Sequence, residues 1–372
     1  MMRTAHPTQF LTTSSVLLMA LLISCSPKTE QSVQNAASKE ARPQAPPGPS
    51  RKYTGSLVTD KAPWLWRDGA RLHYFRGKYW LLGGWTNGPR KEWDGDDTTN
   101  EIWSSPDLAT WTLARKHVSK PATEGPDAHW TRRHCFGSVV FHDYLWVIGR
   151  DHIWSAPIID VWRSKDALTW ECVMPEGPMG RKRMPLVTTY AGAIHVLGGE
   201  TEEPGKMGYA TASHWRSTDG AKWEQLPDMP FVRSSGGAVE WGGRLLVLGG
   251  NSGTRGESGG PIRNNDVWAW DGKKWERQTE HAPWPPMMWM DVVVYDGKVW
   301  VLAGRHSDIP VGGDSSGAWY SSDAGKTWTH VQAPWPPTHA DGVEATEKDG
   351  IVMAGGNQIA SSTYRLKVEE SK

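Results

Sequence analysis

Cysteine is almost absent from this chain of 372 residues; it occurs only as Cys25, Cys135 and Cys172. So few thiols exclude a disulfide-stapled framework. Net charge is absent as well. Lys+Arg and Asp+Glu number 41 each, so no global field draws in nucleic acid. Helix-forming stretches are scarce, and the apolar run from Val16 to Ile23 is too short to span a bilayer. What the chain has instead is 24 tryptophans and 40 glycines, far above average usage.

Residues 1–24 carry Arg3 and then the short apolar run, as an export signal does. The run closes in Leu22-Ile23-Ser24-Cys25, which resembles the lipobox of bacterial lipoproteins. That resemblance implies cleavage before Cys25 and a lipid on its thiol; an ordinary secretory signal with a chance cysteine is the other reading. Ser26 follows where inner-membrane retention uses aspartate, so the resemblance favours the outer membrane. The expectation is a bacterial envelope protein, periplasmic or surface-facing, monomeric, and held to the membrane through its N-terminal lipid only. Residues 25–50 are the lipidated cysteine and a tether rich in Ser, Gln, Ala, Lys and Pro, too poor in apolar residues to offset ordering entropy. Residues 51–372 form the folded domain.

Within that domain one unit recurs about every fifty residues. Glycine pairs or their equivalents begin at Gly83, Gly149, Gly198, Gly249, Ala303 and Gly355. Trp111, Trp170, Trp223, Trp275 and Trp328 keep the same period, with Tyr53 one period before the first. Both markers count six units. In each, an apolar strand such as Gly137–Phe141 turns at His142-Asp143 into a second strand ending at glycine. After a variable loop, two more strands follow, joined at a Ser-x-Asp turn. Four antiparallel strands per fifty residues make one propeller blade. The sixth unit lacks its fourth strand, and residues 52–57 match the missing one, so the N-terminal strand is expected to close the ring and hide an edge.

This pattern resembles the kelch repeat family and implies an all-β, six-bladed propeller. One departure is the third strand, where Trp-x-Ser-x-Asp replaces the usual Tyr-Asp. These turns resemble the Asp-box of sialidases, and Ser321 to Trp328 matches it fully. Sialidase activity is argued against by the missing Arg-Ile-Pro motif, and the turns read as structural. The repeat places Cys135 and Cys172 on the innermost and outermost strands of one blade, roughly 14 Å apart, beyond the reach of a disulfide.

Function must come from what differs between repeats, chiefly the long loops 85–101, 150–159, 200–213, 251–266 and 305–318, which share one face. Arg67, Arg133 and Arg233 stand in register before the first strands, with Arg183 one position off; Met287 and His339 fill the place in units five and six. Two readings stand open. The arginines converge on the channel mouth around an anion, or each pairs with a neighbouring blade's carboxylate or caps strand carbonyls. Asp68, His134, Asp151, His152, Glu200, Asp291, Arg305, His306, His339 and Asp341 share that face and include the groups suited to proton transfer. Trp85, Trp93, Trp130 and Trp154 suit stacking on sugar rings. A copper site like that of galactose oxidase lacks its tyrosines, since only Tyr209 lies in the face loops. Asp94, Asp96 and Asp97 are the candidate ligands for calcium, in a loop that misses the EF-hand glycine and glutamate and reads otherwise as a solvated acidic loop. No other cofactor is expected. The favoured function is binding of an anionic carbohydrate or a protein partner on the loop face. The other is an enzyme acting on an anionic sugar, as in sialic-acid mutarotases, which are also six-bladed kelch propellers.

Overall fold

Alternating apolar strands closed by tight turns give each repeat the same outcome. In one, Gly137–Phe141, Tyr144–Ile148, Val161–Ser164 and Glu171–Met174 pair in sequence as an antiparallel sheet. The computed structural model describes residues 51–86, 88–149, 158–201, 208–253, 262–306 and 313–369, and it is nearly all β. Among the described residues there are six four-stranded antiparallel sheets. Their innermost strands are Arg71–Phe75, Gly137–Phe141, Leu186–Tyr190, Gly237–Trp241, Asp291–Tyr295 and Gly342–Thr346. Each neighbours the next and the last neighbours the first, so the sheets, here blades 1 to 6, surround a common axis as a β-propeller.

The last blade is closed as the repeat count requires. Tyr53–Thr59 pairs antiparallel with Thr363–Val368, with Tyr53 opposite Val368. Two departures from the expected loops occur. The fourth blade's strands Arg244–Asn251 and Arg263–Trp270 take in residue 251 and residues 263–266 at the two ends of loop 251–266. Blade 3 gains a small second sheet from Lys182–Arg183, Glu200–Thr201 and Tyr209–Ala210.

Tryptophans form the joints. Trp146, Trp162, Trp284 and Trp300 are fully buried. The aromatic entering a blade meets that blade's outer tryptophan edge-on: Trp64 against Trp111 at 4.5 Å, Trp130 against Trp170 at 5.9 Å, Trp284 against Trp328 at 4.2 Å. Truncating such a ring to alanine costs about 3–5 kcal/mol. The Ser-x-Asp turns are structural. In blade 2, Asp166 Oδ1 accepts the Leu168 and Thr169 amides at 2.8 and 2.7 Å, and the Ser164 hydroxyl at 3.0 Å. The same bonds recur at Asp107, Asp219 and Asp323.

One further element had no signal in the sequence. Two residues before each innermost strand lie Gly69, Cys135, Met184, Ser235, Trp289 and Ala340, all with φ between 48 and 66°. Their backbones bond around the axis. Gly69 N–H donates to Ala340 (2.8 Å), Ala340 to Trp289 (2.9 Å), Trp289 to Ser235 (2.8 Å), Ser235 to Met184 (3.2 Å) and Cys135 to Gly69 (2.9 Å). The side chains of Cys135, Met184 and Ala340 pack with Trp289 as an apolar plug. Left-handed geometry is unfavourable for five of these six residues, and the ring of bonds holds it in place.

Candidate functional site

The register arginines are interior struts, which decides between the two readings of them. Arg133 is fully buried, and its guanidinium meets Asp160 at 3.0 and 3.1 Å and the Gly149 carbonyl at 2.7 Å. Arg233 repeats this with Asp266, both contacts at 2.9 Å, and with Gly249. Arg67 repeats it with Glu101 and Gly83. The same carboxylates accept the indoles of Trp162, Trp268 and Trp103. The expectation of a partner on a neighbouring blade is corrected, since each acid belongs to the arginine's own blade. Blade 3 differs because Ser213 stands where the acid should be and binds Lys182, so the displaced Arg183 turns to Glu200 at 2.7 Å. Glu200 also accepts the Ser234 hydroxyl and is 1% exposed. None of these four arginines offers an open guanidinium at the channel mouth, because a fully desolvated cation needs its carboxylate there.

What does gather on the loop face lies over blades 5, 6 and 1. His339 stacks on Trp289 with centroids 5.3 Å apart. Its Nδ1 lies 2.9 Å from Asp314 Oδ1 and its Nε2 3.7 Å from Asp68 Oδ2. Arg305 reaches the same Asp314 oxygen at 3.2 Å, and Asn357 donates to Asp68 at 3.2 Å. Burial pushes the Asp314 carboxyl up, but the His339 and Arg305 contacts prevail and hold it below the usual range. Beside this cluster the half-buried rings of Trp66 and Trp85 sit 5.7 Å apart, and Trp85 lies 6.5 Å from His134. Asp68 is fixed by a two-bond bridge between its backbone and that of Trp85. His306 borders the group through its backbone bond to Gly313.

Asp291 and Asp341 belong elsewhere. They lie on the axial side of the ring of six, where Asp341 N–H donates to Asp291 Oδ2 at 3.3 Å. Asp341 is fully buried; its Oδ1 accepts the Thr338 hydroxyl at 2.8 Å. Gly356 makes room for it, since a Cβ there would stand 1.7 Å from Asp341 Oδ1. Solvent reaches Asp291 along the channel, yet protein surrounds it. Burial pushes its carboxyl up to about 7, and burial with the neighbouring Asp291 raises Asp341 as well.

Other expectations are redistributed. Trp93 and Trp130 are buried, Trp93 donating to Glu101, so of the stacking candidates Trp85 is the described one left on the surface. Trp154, with Arg150, Asp151 and His152, lies outside the described residues, as does Cys25. Asp96 is engaged by Arg132 at 2.9 Å and His117 at 3.2 Å, Asp94 by Ser119 and Asp97 by Thr98. Among the described residues no three acid, imidazole or thiol groups converge as metal ligands. Sequence reasoning missed Arg71, Asp314 and Trp66.

Fold and site together define a β-propeller with, among the described residues, a polar, aromatic-flanked cluster at its loop face. Solved structures resemble it, among them that of YjhT: TM-score 0.54, 14% identity, covering 72% of this chain and 84% of that one. At this identity the likeness establishes the fold. No family model matches the chain, and no curated protein does, so the kelch resemblance rests on the repeat residues themselves.

Proposed function

We propose that this propeller is a lipid-anchored envelope protein that binds a carbohydrate on its loop face, over blades 5, 6 and 1. The observation carrying this reading is the pair Trp66 and Trp85 standing beside Asp68, His339, Asp314 and Arg305. Sugars are held by such pairings, with aromatic faces against C–H surfaces and charged groups at hydroxyls. Arg305 shares its charge with Asp314, so it orients the cluster. Retention of the purified protein on immobilised sialylated and uronic-acid glycans tests the reading. Trp85→Ala and Asp68→Asn should each weaken binding about tenfold or more, as expected for about 1.5 kcal/mol per lost contact. Wild-type affinity in both variants would sink it. The Cys25 anchor is tested separately, by whether Cys25→Ser releases the protein from membranes.

A second reading, an enzyme altering an anionic sugar, is favoured by His339 lying between two carboxylates, the arrangement of a proton-transfer group. NMR anomerisation of sialic and uronic acids, wild type against His339→Gln, separates the two. Equal rates with intact glycan retention leave binding alone.

A further inference from the structure

The ring of six and its plug stand between the loop face and the axial channel beneath. That channel holds a cavity of about 330 Å³, lined by the six innermost strands. Val140 and Val294, near the far end of those strands, are each 37% exposed, so solvent enters from the face opposite the long loops. At the ring end three groups meet the cavity: Arg71 from blade 1, Asp291 from blade 5 and Asp341 from blade 6. We propose that this channel is a second ligand site, separate from the loop face, in which Arg71 and the Asp291–Asp341 pair hold a small oxyanion, a carboxylate or a phosphate.

Arg71 differs from every register arginine. Its Nε donates to the Phe136 carbonyl at 2.6 Å, and among the described residues its guanidinium forms no ion pair. A guanidinium steered by one bond and open at its terminal nitrogens is a bidentate oxyanion receptor. The acids complete it. Asp341 Oδ2 is buried and, among the described residues, has no hydrogen-bond partner, and the Asp341 amide donates to Asp291 Oδ2, which brings the two acids together. Two adjacent carboxyls without a contacting cation share a proton rather than ionise together. Among the other charges around them, Arg71 works against this at Asp291, where burial outweighs it. Asp68 and Asp314, from the loop face, add negative potential at Asp341, while His73 and Glu344 pair with each other at 3.6 Å farther down the channel. The shared proton gives the pair an O–H donor, so an oxyanion accepts from Arg71 on one side and from the acid on the other. Above the pair's titration range, binding must draw that proton from solvent.

Calorimetric titration of the whole protein with acetate and, separately, inorganic phosphate at pH about 5.5, 7 and 8.5 tests this. At least one anion should bind saturably, about tenfold more weakly per pH unit above 7. Arg71→Met should abolish binding. Asp291→Asn keeps a donor without a titrating proton, so it should retain binding and flatten the pH profile. No saturable binding of either anion, unchanged binding in Arg71→Met, or an Asp291→Asn profile as steep as wild type would each overturn the proposal. If Arg71→Met does not fold, the Asp291→Asn profile decides. Glycine binding more tightly than acetate, and increasingly so at high pH, would also overturn it by showing a site for ammonium.

Discussion

The strut arginines illustrate how a buried charge becomes a fixed part of a repeat. Arg133 and Asp160 are both fully buried, with guanidinium, glycine carbonyl, carboxylate and indole joined in one network. Removing one member leaves the other desolvated and unpaired. Arg133→Ala should therefore lower stability by about 3–5 kcal/mol in denaturant unfolding; a loss under about 1 kcal/mol would show the pair to be dispensable. Three buried histidines set a second expectation. Burial holds His129 and His214 at about 3 and His195 at about 4. His195 Nδ1 and His214 Nε2 lie 2.8 Å apart with one proton between them, so the accepting ring must be neutral. An unfolded histidine titrates near 6.5, so below that pH the unfolded chain takes up protons the folded chain refuses. Each of the three then removes up to about 1.4 kcal/mol per pH unit on the way to pH 4. Asp291 and Asp341, with raised values, work in the opposite direction, but they are two against these three and His117, which burial also lowers. Melting temperature should fall between pH 7 and 5 in calorimetry, and a rise would contradict this balance.

At the scale of the element, the outer turns show function-like residues doing local work. Asp166 holds its turn through two amides and two hydroxyls, and although burial pushes its carboxyl up, these bonds keep it below the usual range. Asp166→Ala should cost about 1 kcal/mol in thermal unfolding without altering glycan retention, because the turn lies at the opposite end of the blade from the loop face. Legibility differed between elements for physical reasons. Strands and turns were readable because six copies repeat their burial pattern. The strut pairing was readable in principle. Glu101, Asp160 and Asp266 each stand two residues before a tryptophan in the three blades that carry the register arginine, whereas Ser213 and Gly317 stand there in blades with Lys182 and Met287. The ring of six and the Arg71 site were not readable. Which strand-start residues face one another across an axis depends on closure of the whole ring, and positive φ at Cys135, Met184 or Trp289 has no marker in residue type.

For the whole molecule the decisive contact joins its two ends. Removing residues 51–59 should expose the edge of Thr363–Val368 and strip Tyr53 from its place against Trp300, 4.8 Å away. The truncated protein is expected to melt lower and to associate through that edge, measured by calorimetry and light scattering; an unchanged monomer would show that closure is ornamental. The same pairing has a consequence in time. The first strand of the propeller to leave the ribosome has its partner in Thr363–Val368, the last of the propeller's strands in chain order. Five blades can assemble from contiguous sequence as they emerge, but the sixth waits until Thr363–Val368 has been made. Closure of the ring is thus tied to synthesis of that one strand, and a product stopped before Thr363 carries an open, adhesive edge.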